Sequence, residues 1–186
     1  FSSTCATFGH ANAETIDELH PQNPINPYGR SKLMVEQILS DFDRAHAIRS
    51  VPLRYFNAAG ADRDGKTGER HACETHVIPL ALKGAYDEGY AFTILGSDFD
   101  TPDGTAIRDY IHVEDLAEAH LRAVNALEQG ASSAAYNLGT GRGTSGARPL
   151  RRCLRETRAV ARAAGRFFGG LRPAPFAAAV GQHRPA

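Results

Sequence analysis

One short segment, residues 26–32, restricts the fold of this 186-residue chain more than any other stretch. It reads Asn-Pro-Tyr-Gly-Arg-Ser-Lys and predicts the start of a helix. Asn26 suits the N-cap, where its side-chain oxygen accepts from a free backbone N–H of the first turn. Pro27 suits the first helical position, which needs no N–H. The apolar residues that follow recur at intervals of four and predict a stripe that faces a core, in a helix reaching about residue 46: Met34, Ile38 and Phe42.

Tyr28 and Lys32 are four residues apart on this predicted helix and therefore share one face. An ammonium group beside a phenol favours the phenolate and lowers the pKa of the phenol. The spacing thus suits a Tyr that transfers a proton near neutral pH. The alternative is an ordinary amphipathic helix with a surface Tyr and a surface Lys, and the spacing alone does not separate the two.

The composition is that of an ordinary water-soluble domain and indicates no macromolecular partner. The chain is 42% hydrophobic and 23% charged, with a formal net charge of zero, so nothing points to nucleic acid or to anionic lipid. No apolar run approaches the roughly 20 residues that span a membrane. Three widely spaced cysteines, Cys5, Cys73 and Cys153, argue against a disulfide framework and for a reducing cytoplasm.

The charge is divided unevenly along the chain. Residues 1–145 carry 12 Lys and Arg against 20 Asp and Glu, whereas residues 146–186 carry nine Arg, no Lys and a single acid, Glu156. This change resembles translation of a GC-rich gene in a shifted frame, so we expect 146–186 to be a disordered Arg/Ala-rich tail. The alternative is a genuine basic tail that binds nucleic acid or an acidic surface.

Several other patterns predict local structure. Residues 1–4 read as the end of a buried strand, and further strands are expected at 51–56, 91–95 and 134–138, with a helix at 112–127. Gly141, Gly143 and Gly146 form a literal GxGxxG, but no strand–helix–strand unit follows, so we reject it as a dinucleotide site. Cys73 and His71 invite a metal site, but they lack the two-pair spacing of a zinc site, so we expect no metal.

Five segments together identify a family resemblance. YGRSKLMVEQIL, from Tyr28, resembles the active-site helix of the extended short-chain dehydrogenase/reductase family. FSSTCATFG at 1–9, LRYFNAAGA at 53–61, DGTAIRDYIHVEDLAEAH at 103–120 and YNLGTGRGTS at 136–145 agree with it in the same order. The resemblance implies an α/β fold, a partial Rossmann-type doubly wound parallel sheet plus the start of a smaller α/β substrate domain.

The implied domain organisation has three parts. Residues 1–60 would form the C-terminal part of the NAD-binding Rossmann domain with the active-site helix. Residues 61–145 would hold substrate-binding segments interleaved with the last Rossmann elements. Residues 146–186 would form the Arg/Ala-rich tail. The family's Gly-rich NAD fingerprint does not occur ahead of these segments, so we expect a chain that starts within a domain and by itself neither binds NAD usefully nor turns over substrate.

The resemblance is strongest to members that interconvert UDP-glucose and UDP-galactose by transient oxidation at C4 with bound NAD, as cytoplasmic homodimers. One alternative is an epimerase or dehydratase for another nucleotide sugar. Dehydratases of this group follow the active-site Thr with an acidic pair, whereas Cys5 and Ala6 follow Thr4 here. A second alternative is a non-catalytic remnant.

The resemblance also implies residue roles. Tyr28 would be the catalytic base, Lys32 would assist it, and Thr4 would bind the sugar hydroxyl and relay its proton. The implied NAD contacts are Thr4, Tyr28, Lys32, Tyr55 and Phe56. The implied UDP-sugar contacts are Asn57, His76, Val77, Thr93, Ile94, Leu95 and Arg108. Each has a plainer alternative, such as a local backbone bond for Thr4, a turn for Asn57, a core position for Ile94 or an ion pair with Asp109 for Arg108.

Overall fold

The chain divides into two units in this computed structural model, which describes residues 1–10, 15–87, 90–96, 98–145 and 179–181. The first unit comprises Phe1–Gly68 and Asp109–Arg142, and the second comprises Glu69–Arg108 and Gly143–Ala186. Of the predicted tail at 146–186, the description covers 179–181 alone, and these three residues form a strand, so the prediction of disorder is wrong for them. For the rest of the tail the prediction lies outside the described residues.

The regular elements are three helices and nine short strands among the described residues. The helices are α1 (Pro27–His46), α2 (Val77–Tyr86) and α3 (Val113–Glu128), and a 3₁₀ turn covers Cys5–Thr7. The strands are β1 (Ser2–Thr4), β2 (Leu53–Tyr55), β3 (Asn57–Ala59), β4 (Thr93–Leu95), β5 (Ile107–Arg108), β6 (Tyr110–His112), β7 (Tyr136–Leu138), β8 (Thr144–Ser145) and β9 (Ala179–Gly181).

The first unit is built on a parallel sheet in the order β1-β2-β7. Thr4 pairs with Tyr55, and Tyr55 pairs with Leu138, so all three strands end at the same level. A second parallel pair, β3 with β6, carries α3 against it. The predicted α/β class with a partial parallel sheet is confirmed, and the predicted strands are each trimmed to three residues.

Helix α1 begins as the sequence predicts. The Asn26 side chain accepts a hydrogen bond from the Gly29 N–H at 2.8 Å, and Pro27 occupies the first turn. The helix ends at His46, where Ala47 adopts a left-handed conformation with φ of 53° and donates its N–H to the Asp43 carbonyl at 2.8 Å. A left-handed Ala is uncommon, and no Gly marks this end in the sequence.

The predicted orientation of α1 is wrong. The stripe expected to face a core is about half exposed: Met34 at 55%, Ile38 at 52% and Phe42 at 46%. The buried residues of α1 are instead Gly29 and Glu36. Residues two apart on a helix point to nearly opposite sides, so burying Glu36 turns Met34 and Ile38 outward. Glu36 is buried because an arginine from β2 pairs with it.

Helix α3 packs on β3 and β6 and begins after His112. The His112 Nδ1 accepts from the Glu114 N–H at 3.2 Å, which caps the helix. Glu114 and Asp115 in the first turn complement the positive end of the helix dipole. Leu116 supplies the buried position of its apolar face, so the helix predicted at 112–127 is confirmed within one residue.

The second unit has a small apolar cluster of its own. Ala81 and Phe92 are buried, and Val77, Leu80 and Tyr90 pack against them. Strand β4 pairs in parallel with β9, and β5 pairs antiparallel with β8. Across both units, none of the described helices combines the length and the apolar character needed to cross a membrane.

Candidate active site

The carboxyl edge of the β1-β2-β7 sheet carries the first group of predicted site residues. Because the three strands end in register at Thr4, Tyr55 and Leu138, the segments that follow them leave the sheet at one edge. Ligands of open parallel α/β sheets bind outside the carboxyl ends of the strands. This edge is therefore where a site is expected in the first unit.

Thr4 ends β1 and is 7% exposed. Its Oγ1 accepts from the Ala6 N–H at 3.2 Å and so caps the 3₁₀ turn. The local backbone bond that the plainer alternative predicted is thus present. It uses a lone pair of the hydroxyl oxygen, so the hydroxyl hydrogen can still be donated to another group.

Tyr28 and Lys32 lie near each other on the first two turns of α1. Tyr28 is 55% exposed, and the Lys32 Nζ lies 5.9 Å from its ring centroid. The same ammonium donates to the Ser2 carbonyl at 3.0 Å and lies 5.1 Å from the Phe1 ring centroid. The carbonyl of β1 therefore fixes the cation beside a phenol that is open to solvent.

A glycine sets how closely α1 approaches this edge. Gly29 is buried, and a Cβ built on it would overlap the carbonyl oxygen of Ala6. The absence of a side chain lets the helix backbone contact the 3₁₀ turn directly. Gly29 follows Tyr28 in the chain, so this contact positions the phenol relative to Thr4 and its turn. Sequence reasoning did not select Gly29 for any role.

Beneath the edge, Glu36 of α1 and Arg54 of β2 form a buried ion pair. Their side chains are 6% and 9% exposed, and the Arg54 Nη2 lies 2.7 Å from the Glu36 Oε2. The Arg54 Nε, the Ser3 hydroxyl and the Gln22 amide also donate to this carboxylate. Sequence reasoning missed this network, because no local pattern marks a pair 18 residues apart.

The two effects on the Glu36 carboxyl oppose each other. Burial alone would raise the pKa of Glu36, because it disfavours the charged form. Hydrogen bonds from Arg54, Ser3 and Gln22 outweigh it and hold the pKa below its ordinary value of 4.5. Glu36 is therefore a carboxylate at neutral pH and links α1 to β1 and β2.

Cys5 does not serve as a catalytic group at this edge. Burial raises the pKa of its thiol to about 12, although the nearby Arg54 cation opposes that change. The thiol donates to the Arg54 carbonyl at 3.3 Å. A thiol with this pKa stays protonated at neutral pH and is a poor nucleophile or base.

Asp109 holds the loop that follows β7. Its carboxylate accepts from the N–H groups of Thr140 and Gly141 at 2.9 Å and 3.0 Å and from the Thr140 hydroxyl at 2.6 Å. A Cβ on Gly139 would lie 2.5 Å from the same carboxylate and 3.2 Å from the Phe56 ring. The loop therefore needs a glycine at this point. The Asp109 carbonyl also accepts from the Asn57 N–H at 3.0 Å, so one residue ties together Asn57 and the glycine loop.

His120 of α3 reaches the start of β1. Its Nδ1 lies 2.7 Å from the Leu116 carbonyl, which can only accept, so this nitrogen carries the proton. Its Nε2 then accepts from the Ser2 hydroxyl at 2.8 Å. The Tyr55 ring packs edge-on against it at 6.5 Å. These contacts give His120 a structural role in joining α3 to β1.

The remaining predicted contacts belong to the second unit. His76 is exposed and precedes α2, while Val77 packs in the apolar cluster. Thr93, Ile94 and Leu95 form β4, where Thr93 is exposed. Arg108 is exposed in β5, and its Nη1 lies 3.3 Å from the Ile107 carbonyl. Within the described part of the chain, Arg108 forms no ion pair.

Comparison with known proteins gives a consistent family assignment. Residues 1–139 match the NAD dependent epimerase/dehydratase family. A protein of Rhizobium leguminosarum bv. trifolii, UDP-glucose 4-epimerase, is 58% identical over 145 residues, which are 78% of this chain and 44% of that protein.

Two crystal structures extend the likeness. UDP-glucose 4-epimerase from Brucella ovis in complex with NAD has a TM-score of 0.77 and 47% identity, over 98% of this chain and 52% of that chain. The enzyme from Bifidobacterium longum in complex with NAD⁺ and UDP has a TM-score of 0.72 and 37% identity, over 97% of this chain and 50% of that chain. The chain thus spans about half the length of the proteins that it matches.

Proposed function

Because the chain belongs to the NAD dependent epimerase/dehydratase family, we propose that the protein containing it interconverts UDP-glucose and UDP-galactose. The observation that carries this proposal is the arrangement of Tyr28 and Lys32, with the ammonium fixed by the Ser2 carbonyl and 5.9 Å from the phenol ring centroid. The relatives supply the substrate class, since the Bifidobacterium longum structure contains NAD⁺ and UDP.

The residues at the carboxyl edge fit a dinucleotide with a nicotinamide ring. The Thr4 hydroxyl, the Tyr28 phenol and the Lys32 ammonium are hydrogen-bond donors that suit the hydroxyls of a ribose. Thr4, Tyr28, Lys32, Tyr55 and Phe56 would hold NAD at this edge. When bound, NAD supplies the hydride acceptor and donor for C4 of the sugar.

The chain's own groups would move the proton. Tyr28 as phenolate takes the proton of the C4 hydroxyl, directly or through the Thr4 hydroxyl. The Lys32 ammonium, which donates to the Ser2 carbonyl at 3.0 Å, would assist it by binding the ribose of NAD. A positioned acid–base group of this kind contributes about 10²–10⁴-fold to the rate. The sugar must turn and present its other face before the hydride returns to C4, and Tyr28 then gives the proton back to the C4 oxygen, which leaves the C4 hydroxyl inverted.

The proposed UDP-sugar contacts are Asn57, His76, Val77, Thr93, Ile94, Leu95 and Arg108. Of these residues, Arg108 is the best supported as a contact to the UDP-sugar, since it is exposed and forms no ion pair with a described residue. A guanidinium in this state is available for bidentate bonds to a diphosphate. Asn57 is exposed with its backbone N–H already bound to the Asp109 carbonyl, so its side chain is left for a ligand.

Among the alternatives, dehydration has less support than epimerisation. Dehydratases of this group carry an acidic pair after the active-site Thr, and Cys5 stands at the first of those positions. Burial raises the pKa of its thiol to about 12. A thiol that holds its proton so firmly is unsuited to that role at neutral pH.

We also propose that the whole protein is a cytoplasmic homodimer. Cys5 and Cys73 are free, which suits a reducing compartment. The α1 stripe of Met34, Ile38 and Phe42 is exposed in the described residues, and such an apolar surface suits a contact with a second subunit. The test is the molar mass of the whole protein by light scattering, with Ile38→Asp compared with the control Ser40→Asp. A protein that stays dimeric after Ile38→Asp would contradict a contact through α1.

A chimera tests the activity. The matching 145 residues of the Rhizobium relative are replaced by those of this chain, and UDP-galactose conversion is followed with a coupled UDP-glucose dehydrogenase. Turnover within about tenfold of the relative is expected. A chimera that folds and binds UDP but forms no UDP-glucose would contradict the proposal, and release of a 4-keto-6-deoxy sugar would favour dehydration.

A further inference from the structure

Four ligating side chains converge in the second unit, within the segment that leads into α2. Their donor atoms all lie within 4.8 Å of one another: those of Glu69, His71, Glu74 and His76. The Glu69 Oε1 lies 3.0 Å from the His71 Nε2 and 2.7 Å from the His76 Nδ1. The Glu74 Oε1 lies 2.8 Å from the same His76 nitrogen. Both imidazoles thus direct a ring nitrogen at the same oxygen, the Glu69 Oε1.

We propose that these four side chains form a binding site for a divalent first-row transition metal such as Zn²⁺. Two imidazole nitrogens with two carboxylate oxygens suit Zn²⁺, Co²⁺ or Ni²⁺, whereas Mg²⁺ and Ca²⁺ favour oxygen ligands. The site goes beyond the proposed epimerase function, although it shares His76 with the proposed UDP contacts. It departs from the sequence expectation of no metal, which rested on cysteine pairs, because the bend of the chain gathers positions i, i+2, i+5 and i+7.

A small rearrangement of the four side chains would give the spacing that an ion needs. Zinc–nitrogen and zinc–oxygen distances are about 2.0–2.2 Å, so tetrahedral ligand atoms are roughly 3.3–3.5 Å apart. The present hydrogen-bonded separations are 2.7–3.0 Å. No two of the four donor atoms are more than 4.8 Å apart. Outward shifts of the contacting atoms and inward shifts of the more distant ones, each of about 1 Å or less, would therefore bring all four to roughly 3.3–3.5 Å from one another. The side chains are between 19% and 59% exposed, so they have room to move.

The backbone holds one ligand in place already. The Glu74 Oε1 accepts from the N–H groups of Thr75 and His76 at 2.8 Å each. These two amide bonds fix the direction in which the Glu74 carboxylate points. The two carboxylates together balance the charge of a divalent ion. That balance offsets the unfavourable interaction of a cation with the N-terminal end of α2.

The test uses the tag-free 186-residue chain, without UDP because His76 is also a proposed UDP contact. Titration with Co²⁺ is expected to reach one equivalent with the visible absorption of a low-symmetry site, and Zn²⁺ is expected to displace it. His71→Gln with His76→Gln should weaken Zn²⁺ binding by about 100-fold or more, since two of four ligands are lost. The matched control is His20→Gln with His46→Gln, which should leave the affinity within about twofold.

Two outcomes would overturn the proposal. One is a parent chain that binds Zn²⁺ no more tightly than the His71/His76 double variant while circular dichroism shows that both are folded. The other is equal loss in the control variant, which would mean diffuse binding to surface histidines. If the double variant does not fold, NMR of the parent decides, since Co²⁺ must shift or broaden the His71 and His76 ring signals before those of His46.

Discussion

Replacing Glu36 with Gln should destabilise the first unit, because the change leaves the Arg54 guanidinium buried without a counter-charge. The two side chains are 6% and 9% exposed, and the carboxylate accepts from Arg54, Ser3 and Gln22. Removing one partner of a buried ion pair costs about 3–5 kcal/mol. Gln keeps one acceptor oxygen, so we expect about 3 kcal/mol, at the lower end of that range.

Urea unfolding of the chain, followed by circular dichroism, measures this loss. At an m-value of about 1–3 kcal/mol/M, the midpoint should fall by about 1–3 M. The control on the same helix is Asp41→Asn, which breaks the exposed Arg44–Asp41 pair, whose side chains are 75% and 70% exposed. An exposed pair contributes about 0–1 kcal/mol. Equal effects of the two changes would refute the reasoning about burial.

The loss of stability in Glu36→Gln should also depend on pH. The folded-state pKa of Glu36 is lowered from its ordinary value of 4.5. A carboxyl of this kind stabilises the folded state above its unfolded pKa, and that contribution disappears as the pH falls through the folded pKa. The difference between the wild type and Glu36→Gln should therefore be full at pH 7 and shrink below about pH 4.5. A difference that grows on acidification would show that the sign is wrong.

Two further predictions concern the same edge of the sheet. Gly29→Ala should lower the unfolding free energy by about 1–3 kcal/mol despite the helix propensity of Ala, because the new Cβ overlaps the Ala6 carbonyl. The control, Ser40→Ala in the exposed part of α1, should change the unfolding free energy by less than about 0.5 kcal/mol. Equal effects of the two changes would contradict the close approach of α1 to the 3₁₀ turn. In a Cys153→Ser background at pH 8, a thiol reagent should label exposed Cys73 rapidly and reach Cys5 only after unfolding, since Cys5 is buried and its pKa is about 12. Rapid labelling of both thiols in the folded chain would contradict the burial of Cys5.

The sequence predicted the elements of this fold better than it predicted their packing. Asn26 and Pro27 located the start of α1, since capping depends on local chemistry. The prediction that Met34, Ile38 and Phe42 face a core was wrong, because a spacing of four residues defines a face of the helix but not what covers that face. The buried face carries Gly29 and Glu36, and it depends on a backbone contact and on an arginine 18 residues away.

In the candidate site too, the sequence predicted individual residues better than the contacts between them. Tyr28, Lys32 and Thr4 were selected by spacing and resemblance, and the structure adds what supports them: the Ser2 carbonyl for Lys32, and Gly29 for the position of α1. Asp109 was considered only as an ion-pair partner of Arg108, yet its carboxylate binds Thr140 and Gly141. Contacts between residues 31 apart leave no local signal in a single sequence.

The turnover of Tyr28→Phe in the chimera with the Rhizobium relative tests the central claim most directly. Loss of the phenol hydroxyl removes the group that takes the C4 proton, so turnover should fall by about 10²–10⁴-fold, while UDP binding measured by calorimetry stays within about twofold. The matched control is Tyr136→Phe, because Tyr136 is 51% exposed against 55% for Tyr28. Tyr136 begins β7 and so lies at the end of that strand away from the carboxyl edge of the sheet. The control should keep its turnover. Turnover of Tyr28→Phe within tenfold of the unmodified chimera would contradict the assignment of Tyr28 as the catalytic base.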